Sequence, residues 1–148
     1  MNSNAMLDVM ERILESSHVG VMITVDSEGR PRSRWMTPAV VRGRRGFLYT
    51  VTAPHFEKVE QLKKNSAVSW MLQSKALDEV VEVVGKGQVI DNPSLKSEVL
   101  EAIGGHLTTF WRVNPDEREL IVVETVIEEM TYFEPLKGKK VRASLEQE

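Results

Sequence analysis

The chain is 148 residues long, 41% hydrophobic and 28% charged, with a formal net charge of −3 and no cysteine. That length suits one domain with a core large enough to fold without staples; the missing cysteines exclude disulfides, thiol catalysis and cysteine-based metal sites. The acidic balance argues against nucleic-acid binding, and neither a membrane span nor a secretory leader can be read, so a cytoplasmic location is the expectation.

In chain order, Met1 to Ala5 reads as a cloning remnant, with Met6 as the natural start. Met6, Val9, Met10, Ile13 and Leu14 share one helical face, which predicts a helix over 6–17. Val19 to Val25 is rich in β-branched residues and predicts a strand. Asp26 to Gly29 is a turn, and Arg30 to Val41 the returning strand. Gly43 to Gly46 turns the chain again into a third strand, Phe47 to Thr52, so these three strands are expected to form an antiparallel meander.

Thr52 can cap, and Pro54 suits the first turn of a short helix carrying Phe56, Val59 and Leu62. Ala67 to Leu72 and Val80 to Ile90 are further strands, with Gly85 and Gly87 marking a bulge or bend. Asn92-Pro93 opens a helix that Gly104-Gly105 stops. Residues 106–118 read as loop with a helical turn at Phe110-Trp111, and Leu120 to Phe133 is a last long strand. The expected domain covers 6–136, followed by a loose, polar tail over 137–148. The fold class is α+β: six antiparallel strands closed as a barrel, with short peripheral helices.

One stretch carries chemistry. Between Gly29 and Phe56 stand six arginines, at 30, 32, 34, 42, 44 and 45, and no Asp or Glu. Strand alternation puts Arg32, Arg34 and Met36 on one face and Ser33, Trp35 and Thr37 on the other. Two guanidiniums about 7 Å apart can clamp a phosphate. Lys58, one turn into the next helix, leans back toward the helix mouth, where the dipole adds positive charge. The residue pattern alone leaves a second reading open, a solvated arginine edge that discourages aggregation. Arg42, Arg44 and Arg45 flank a turn and are assigned to solvent.

Other groups carry less. His18, His55 and His106 have no ligand spacing, so no metal site is expected. Gly85-Lys86-Gly87 lies inside a strand and is no dinucleotide fingerprint. Glu124 and Glu128 read as a solvated outer face, and Trp70 as core.

The order Arg-Ser-Arg-Trp-Met-Thr-Pro (32–38), Phe-Leu-Tyr-Thr (47–50), Lys-Val-Glu-Gln-Leu (58–62) and Ala-Val-Ser-Trp (67–70) resembles the FMN-binding split-barrel family. These are the pyridoxamine 5'-phosphate oxidase-like proteins, and the short general stress protein branch is the nearest. The resemblance implies a six-stranded antiparallel split barrel, a homodimer, and FMN in the groove between protomers. It implies that Arg34, which shares its strand face with Arg32 of the clamp, serves the phosphate or ribityl chain and that Trp35, Met36 and Thr37 run along the flavin ring. Tyr49 and Thr50 match the family's Tyr-Thr pair, Lys58 its phosphate-binding lysine, and Trp111 an aromatic near the partner's flavin. The function implied is an FMN-dependent oxidoreductase acting on an unidentified small molecule. The alternatives are a flavin-binding stress module without turnover, or a split barrel that takes haem, a deazaflavin or nothing. Phe56-Glu57 stand where the full oxidases carry Ser-Arg, Ala39 replaces a lysine, and Val80 replaces a flavin-contacting glutamine. The tryptophan and arginine that bind the vitamin substrate have no counterpart. These departures argue against pyridoxamine phosphate oxidation itself.

Overall fold

The computed structural model describes residues 1–54, 56–104, 112 and 119–145. Helix α1 (Ser3–Ser17) is longer than the sequence predicts. Asn2 caps it by accepting from the Ala5 backbone N–H at 2.9 Å, and His18 ends it in the left-handed region. Its buried face, from Met6 to Leu14, enters the main core.

Strands β1 (Gly20–Val25) and β2 (Pro31–Met36) form a hairpin. Asp26 builds the turn by accepting from the Glu28 and Arg30 N–H groups, with Gly29 at φ 78°. The predicted meander stops there. Strand β3 (Phe47–Thr52) pairs with β6 (Ile121–Glu134), opposite to expectation. Among the described residues its one backbone bridge to the segment after β2 is Ala39–Tyr49, where each N–H donates to the other's carbonyl at 2.7 and 2.9 Å. Pro38 has no N–H to continue a ladder, so the chain leaves β1 and crosses over.

Helix α2 (Glu57–Lys64) follows β3. Thr52 does not cap it; Thr52 is buried in β3, and Phe56 occupies the cap position without a side-chain bond. Strands β4 (Ala67–Gln73) and β5 (Val80–Ile90), helix α3 (Pro93–Ile103, capped by Asn92) and β6 stand where the sequence predicts them. All ladders are antiparallel, in the order β2-β1-β4-β5-β6-β3. The Ala39–Tyr49 bridge joins the two ends of that path, and a split barrel results.

The expected loose tail is a correction. Lys139–Ser144 is a seventh strand, β7, on the free edge of β6 beyond β3. Val141, Ala143 and Leu145 pack on the main core while Lys140, Arg142 and Ser144 between them are exposed, a period-two pattern.

Two cores share the barrel wall. The inner one holds Met22, Leu48, Trp70, Leu72, Val83, Ile127 and Met130 under α1. The second lies between the outer face of β3 and β6 and helix α3, with Tyr49, Val51, Val99 and Val122. Trp70 is fully buried and donates from Nε1 to Thr125 Oγ1 at 3.0 Å. Arg12 of α1 grips Glu79 through two bonds of 2.5 and 2.9 Å, and the Tyr132 hydroxyl donates to the same carboxylate at 2.8 Å.

The bulge expected at the β5 glycines is present: the β5–β6 register shifts between Val84 and Gly85. A Cβ on Gly85 would stand 1.9 Å from the Val126 carbonyl oxygen, so only glycine lets the strands approach this closely. Gly85→Val is expected to cost at least about 2–4 kcal/mol of stability through forced strand separation. Urea denaturation checks this; a loss below about 0.5 kcal/mol contradicts the close approach.

Candidate functional site

The site assembles on β1. Strand β2 pairs with one edge of β1, and α2 packs across β1 and β5. Arg34 lies opposite Met22, and Arg32 opposite Thr24. Met22 and Thr24 are both fully buried, so these arginines leave β2 on the barrel's inner side.

Arg34 is half-buried. Its Nη1 donates to the Met22 carbonyl at 3.3 Å, and its Nη2 to Gln61 Oε1 of α2 at 3.2 Å. The Thr24 hydroxyl donates to the same Gln61 oxygen at 2.5 Å. Lys58 is 8% exposed, with its ammonium 4.2 Å from the centre of the Phe56 ring. Burial, and then the charge of Arg34, pull the Lys58 pKa down to about 8. Burial also lowers the Arg34 pKa, with the Glu57 charge acting against it. The guanidinium stays protonated throughout the working range. Among the described residues, no carboxylate forms an ion pair with Arg34 or Lys58. Two cations thus share one half-buried corner with neutral partners only. That arrangement fits a phosphate group, whose negative charge restores what burial removes.

The remaining predicted residues divide. Arg32 does not join the corner; its Nε donates to Asp26 Oδ2 at 2.9 Å and its side chain is half exposed. The Asp26 carboxyl is held down at about 2, first by the Arg30 N–H and then by the Arg32 side chain. Met36 packs on the inner core, whereas Trp35 on the other face is 65% exposed. Thr37 is half-buried, and its carbonyl accepts from Thr50 Oγ1 at 2.9 Å. Tyr49 and Thr50 are fully buried. The Tyr49 ring belongs to the second core, together with Ala39, and its backbone bridges to Ala39. Trp111, His55 and His106 lie outside the described residues.

Two assignments change. Arg45, assigned to solvent, is paired with Asp8 and Glu11 of α1, which ties the β3 approach to the helix. Glu124, read as a solvated outer face, is buried; it accepts from the Tyr49 hydroxyl at 2.8 Å and Gln88 Nε2 at 2.9 Å. Only Glu128 is exposed, because α3 covers the second core where Glu124 sits. Burial first, and Glu124 second, push the Tyr49 hydroxyl up to about 12. Gln61 and Thr24 were not read as site residues at all. Gln61 falls one helical turn after Lys58, on the same face, and that spacing is the signal that could have found it.

Over residues 6–133 the sequence matches the pyridoxamine 5'-phosphate oxidase family. The chain belongs to that family. Among solved structures, this pyridoxamine 5'-phosphate oxidase family member is similar to a protein from Clostridium acetobutylicum related to general stress protein 26 of Bacillus subtilis. The identity is 17% and the TM-score 0.74, with 97% of this chain and 96% of that one covered. A second is an FMN-binding, pyridoxamine 5'-phosphate oxidase-related protein from Nostoc punctiforme: 13% identity, TM-score 0.66, 98% and 95% covered. A third is a heme-binding protein from Mycobacterium smegmatis: 15% identity, TM-score 0.72, 93% of this chain and 57% of that one. At such identities these neighbours establish the split-barrel fold. No curated protein matches the sequence.

The buried ammonium gives a stability signature. The Lys58 pKa is lower folded than unfolded, about 8 against an ordinary 10.5. Below pH 8 both states carry the proton and the folded chain bears the burial cost. Between 8 and 10.5 the unfolded state binds more protons, so stability rises with pH. Lys58→Met is therefore expected to stabilise the ligand-free protein at pH 7 by about 1–3 kcal/mol and to lose this rise. Urea unfolding of both proteins at pH 7, 8, 9 and 10 measures the difference. A pH-independent gap between them contradicts the buried cation.

Proposed function

We propose that this chain is an FMN-binding flavoprotein, with the flavin phosphate held by Arg34 and Lys58. The single observation that carries this reading is the pair of buried cations with no carboxylate partner among the described residues. A phosphate monoester answers both charges at once, and the α2 N-terminus adds its dipole. From Arg34 to Thr37 is about 10 Å along β2, at about 3.3 Å per residue. That span suits a ribityl chain leading to a ring beside Trp35, Met36 and Thr37. Beyond Thr37 and Pro38 lies a cavity of about 540 Å³, walled by Val40, Val41 and Ile103, with room for a small molecule near the ring. Arg32 would steady the approach through Asp26 and is not itself a phosphate ligand in this reading.

When bound, flavin supplies the redox chemistry, and the chain supplies binding, orientation and electrostatics. The reaction class we infer is hydride or electron transfer to an unidentified small molecule. A true pyridoxamine phosphate oxidase is not proposed, since the substrate-binding residues of that enzyme have no counterpart here. The expected setting is the cytoplasm; no helix among the described residues is long and apolar enough to cross a membrane.

A homodimer is part of the proposal. On the outer face of the barrel, Val21 stands opposite both Trp35 and Met71, and Val84 is 38% exposed. An exposed tryptophan set among aliphatic side chains marks a surface that a second copy can cover. Trp111 of that copy is proposed to approach the flavin, as the sequence resemblance implies.

The haem-binding mycobacterial relative favours one second reading, in which the same cations meet a carboxylate of a porphyrin. Absorption spectra separate the two. Protein mixed with FMN is expected to retain it through gel filtration, at twice the 16.8 kDa chain mass. Lys58→Ala should weaken FMN binding by roughly 1–3 kcal/mol and leave riboflavin binding unchanged. Retention of haem and not of flavin, or elution at 16.8 kDa with no flavin, contradicts the proposal. Reduction of bound FMN by a nicotinamide donor supports the enzyme; inertness to all donors favours a module without turnover.

A further inference from the structure

We propose that Gln61 is the positioning residue that makes this corner selective for a doubly charged phosphate, because it fixes Arg34 through a neutral acceptor. The inference rests on the phosphate reading above and deepens it.

The arginines of the β2 hairpin and its approach are held in different ways. Arg30 is paired with Asp26 and Glu28, Arg32 with Asp26, and Arg45 with Asp8 and Glu11. Each of these positive charges is largely cancelled where it stands. Arg34 is fixed as firmly, by two hydrogen bonds, but both acceptors are neutral: the Met22 carbonyl and Gln61 Oε1. Its charge stays available.

The Gln61 amide cannot turn round. A guanidinium only donates, so the oxygen must face Arg34, and the buried Thr24 hydroxyl donates to that same oxygen. Three elements are thereby locked together: β1 through Thr24, β2 through Arg34 and α2 through Gln61. The same helix carries Lys58 one turn earlier, so the lock also sets the distance between the two cations. A glutamate at position 61 would keep every one of these bonds and remove one unit of charge. The corner would then hold one net cation, matched to a singly charged ligand.

Gln61→Glu tests this with little change of shape. FMN and riboflavin are titrated into the wild-type protein and Gln61→Glu, with flavin fluorescence as the readout, over a range of salt concentrations. Wild type is expected to bind FMN at least about tenfold tighter than riboflavin. Gln61→Glu is expected to lose about tenfold or more for FMN, to keep its riboflavin affinity within about twofold, and to show a shallower salt dependence. Thr24→Val, which frees the amide but leaves the charges alone, should lose less FMN affinity than Gln61→Glu and keep the wild-type salt dependence. Should Gln61→Glu unfold, which its melting temperature decides, Thr24→Val is judged against wild type: a loss of about two- to fivefold for FMN with riboflavin unchanged supports the inference, and FMN affinity equal to wild type overturns it. Gln61→Glu binding FMN as wild type does, or losing FMN and riboflavin equally, overturns the inference while the phosphate reading stands. Wild type failing to distinguish FMN from riboflavin overturns both.

Discussion

Two positive side chains are buried side by side because β2 and α2 both pack against β1. Strand β2 brings Arg34 to the edge of the barrel interior, and α2 lays Lys58 over the same place. Neither chain position is free to withdraw: Met22 and Thr24 fix the register on one side, and Val59 and Leu62 anchor the helix on the other. Burying an ammonium beside a guanidinium opposes folding, and the depressed Lys58 pKa is the expression of that cost. The structure tolerates it because the rest of the barrel is well satisfied. No buried side-chain polar atom among the described residues lacks a hydrogen-bond partner. A site that stores unfavourable charge in its free state is a site that a complementary anion stabilises.

Closure of the barrel has a functional side. The crossover at Pro38 carries the chain from β2, beside β1, to β3 and leaves the Thr37–Ala39 backbone spanning the split, joined to β3 at Tyr49. Trp35, Met36 and Thr37 thus run from the cation corner toward the α3 layer, and Tyr49 is spent on the second core through Glu124. The departure at Glu57 also finds its place. Glu57 is exposed at the first turn of α2, where the helix dipole favours it and its charge still reaches Arg34. It tempers Arg34 without pairing to it.

Much of this was legible in the sequence, for local reasons. Apolar periodicity marks α1, α3 and β6, and Asp26 to Gly29 marks the hairpin. The arginine run without acids pointed to Arg34, and helical geometry pointed to Lys58. What was not legible depends on pairing between distant segments. Nothing local says that β3 pairs with β6, 70-odd residues on, since a short turn normally joins neighbours. The same non-local fact hides Glu124, whose burial follows from α3 lying over β3 and β6. Arg32 and Arg34 look equivalent in sequence; Asp26, six residues before Arg32, takes one and leaves the other. The seventh strand was readable from the alternation of Val141, Ala143 and Leu145 with charged residues, had the polar composition not outweighed it.

The titration of Lys58 itself tests the account most directly. Its Nζ can be followed by NMR in selectively labelled protein, with Lys58→Arg to assign the signal, across pH 6 to 11, free and with saturating FMN. The account predicts a pKa near 8 in the free protein and an upward move past the ordinary lysine value of about 10.4 once the phosphate is bound. A free-state pKa already at the ordinary value, unmoved by FMN, would contradict it.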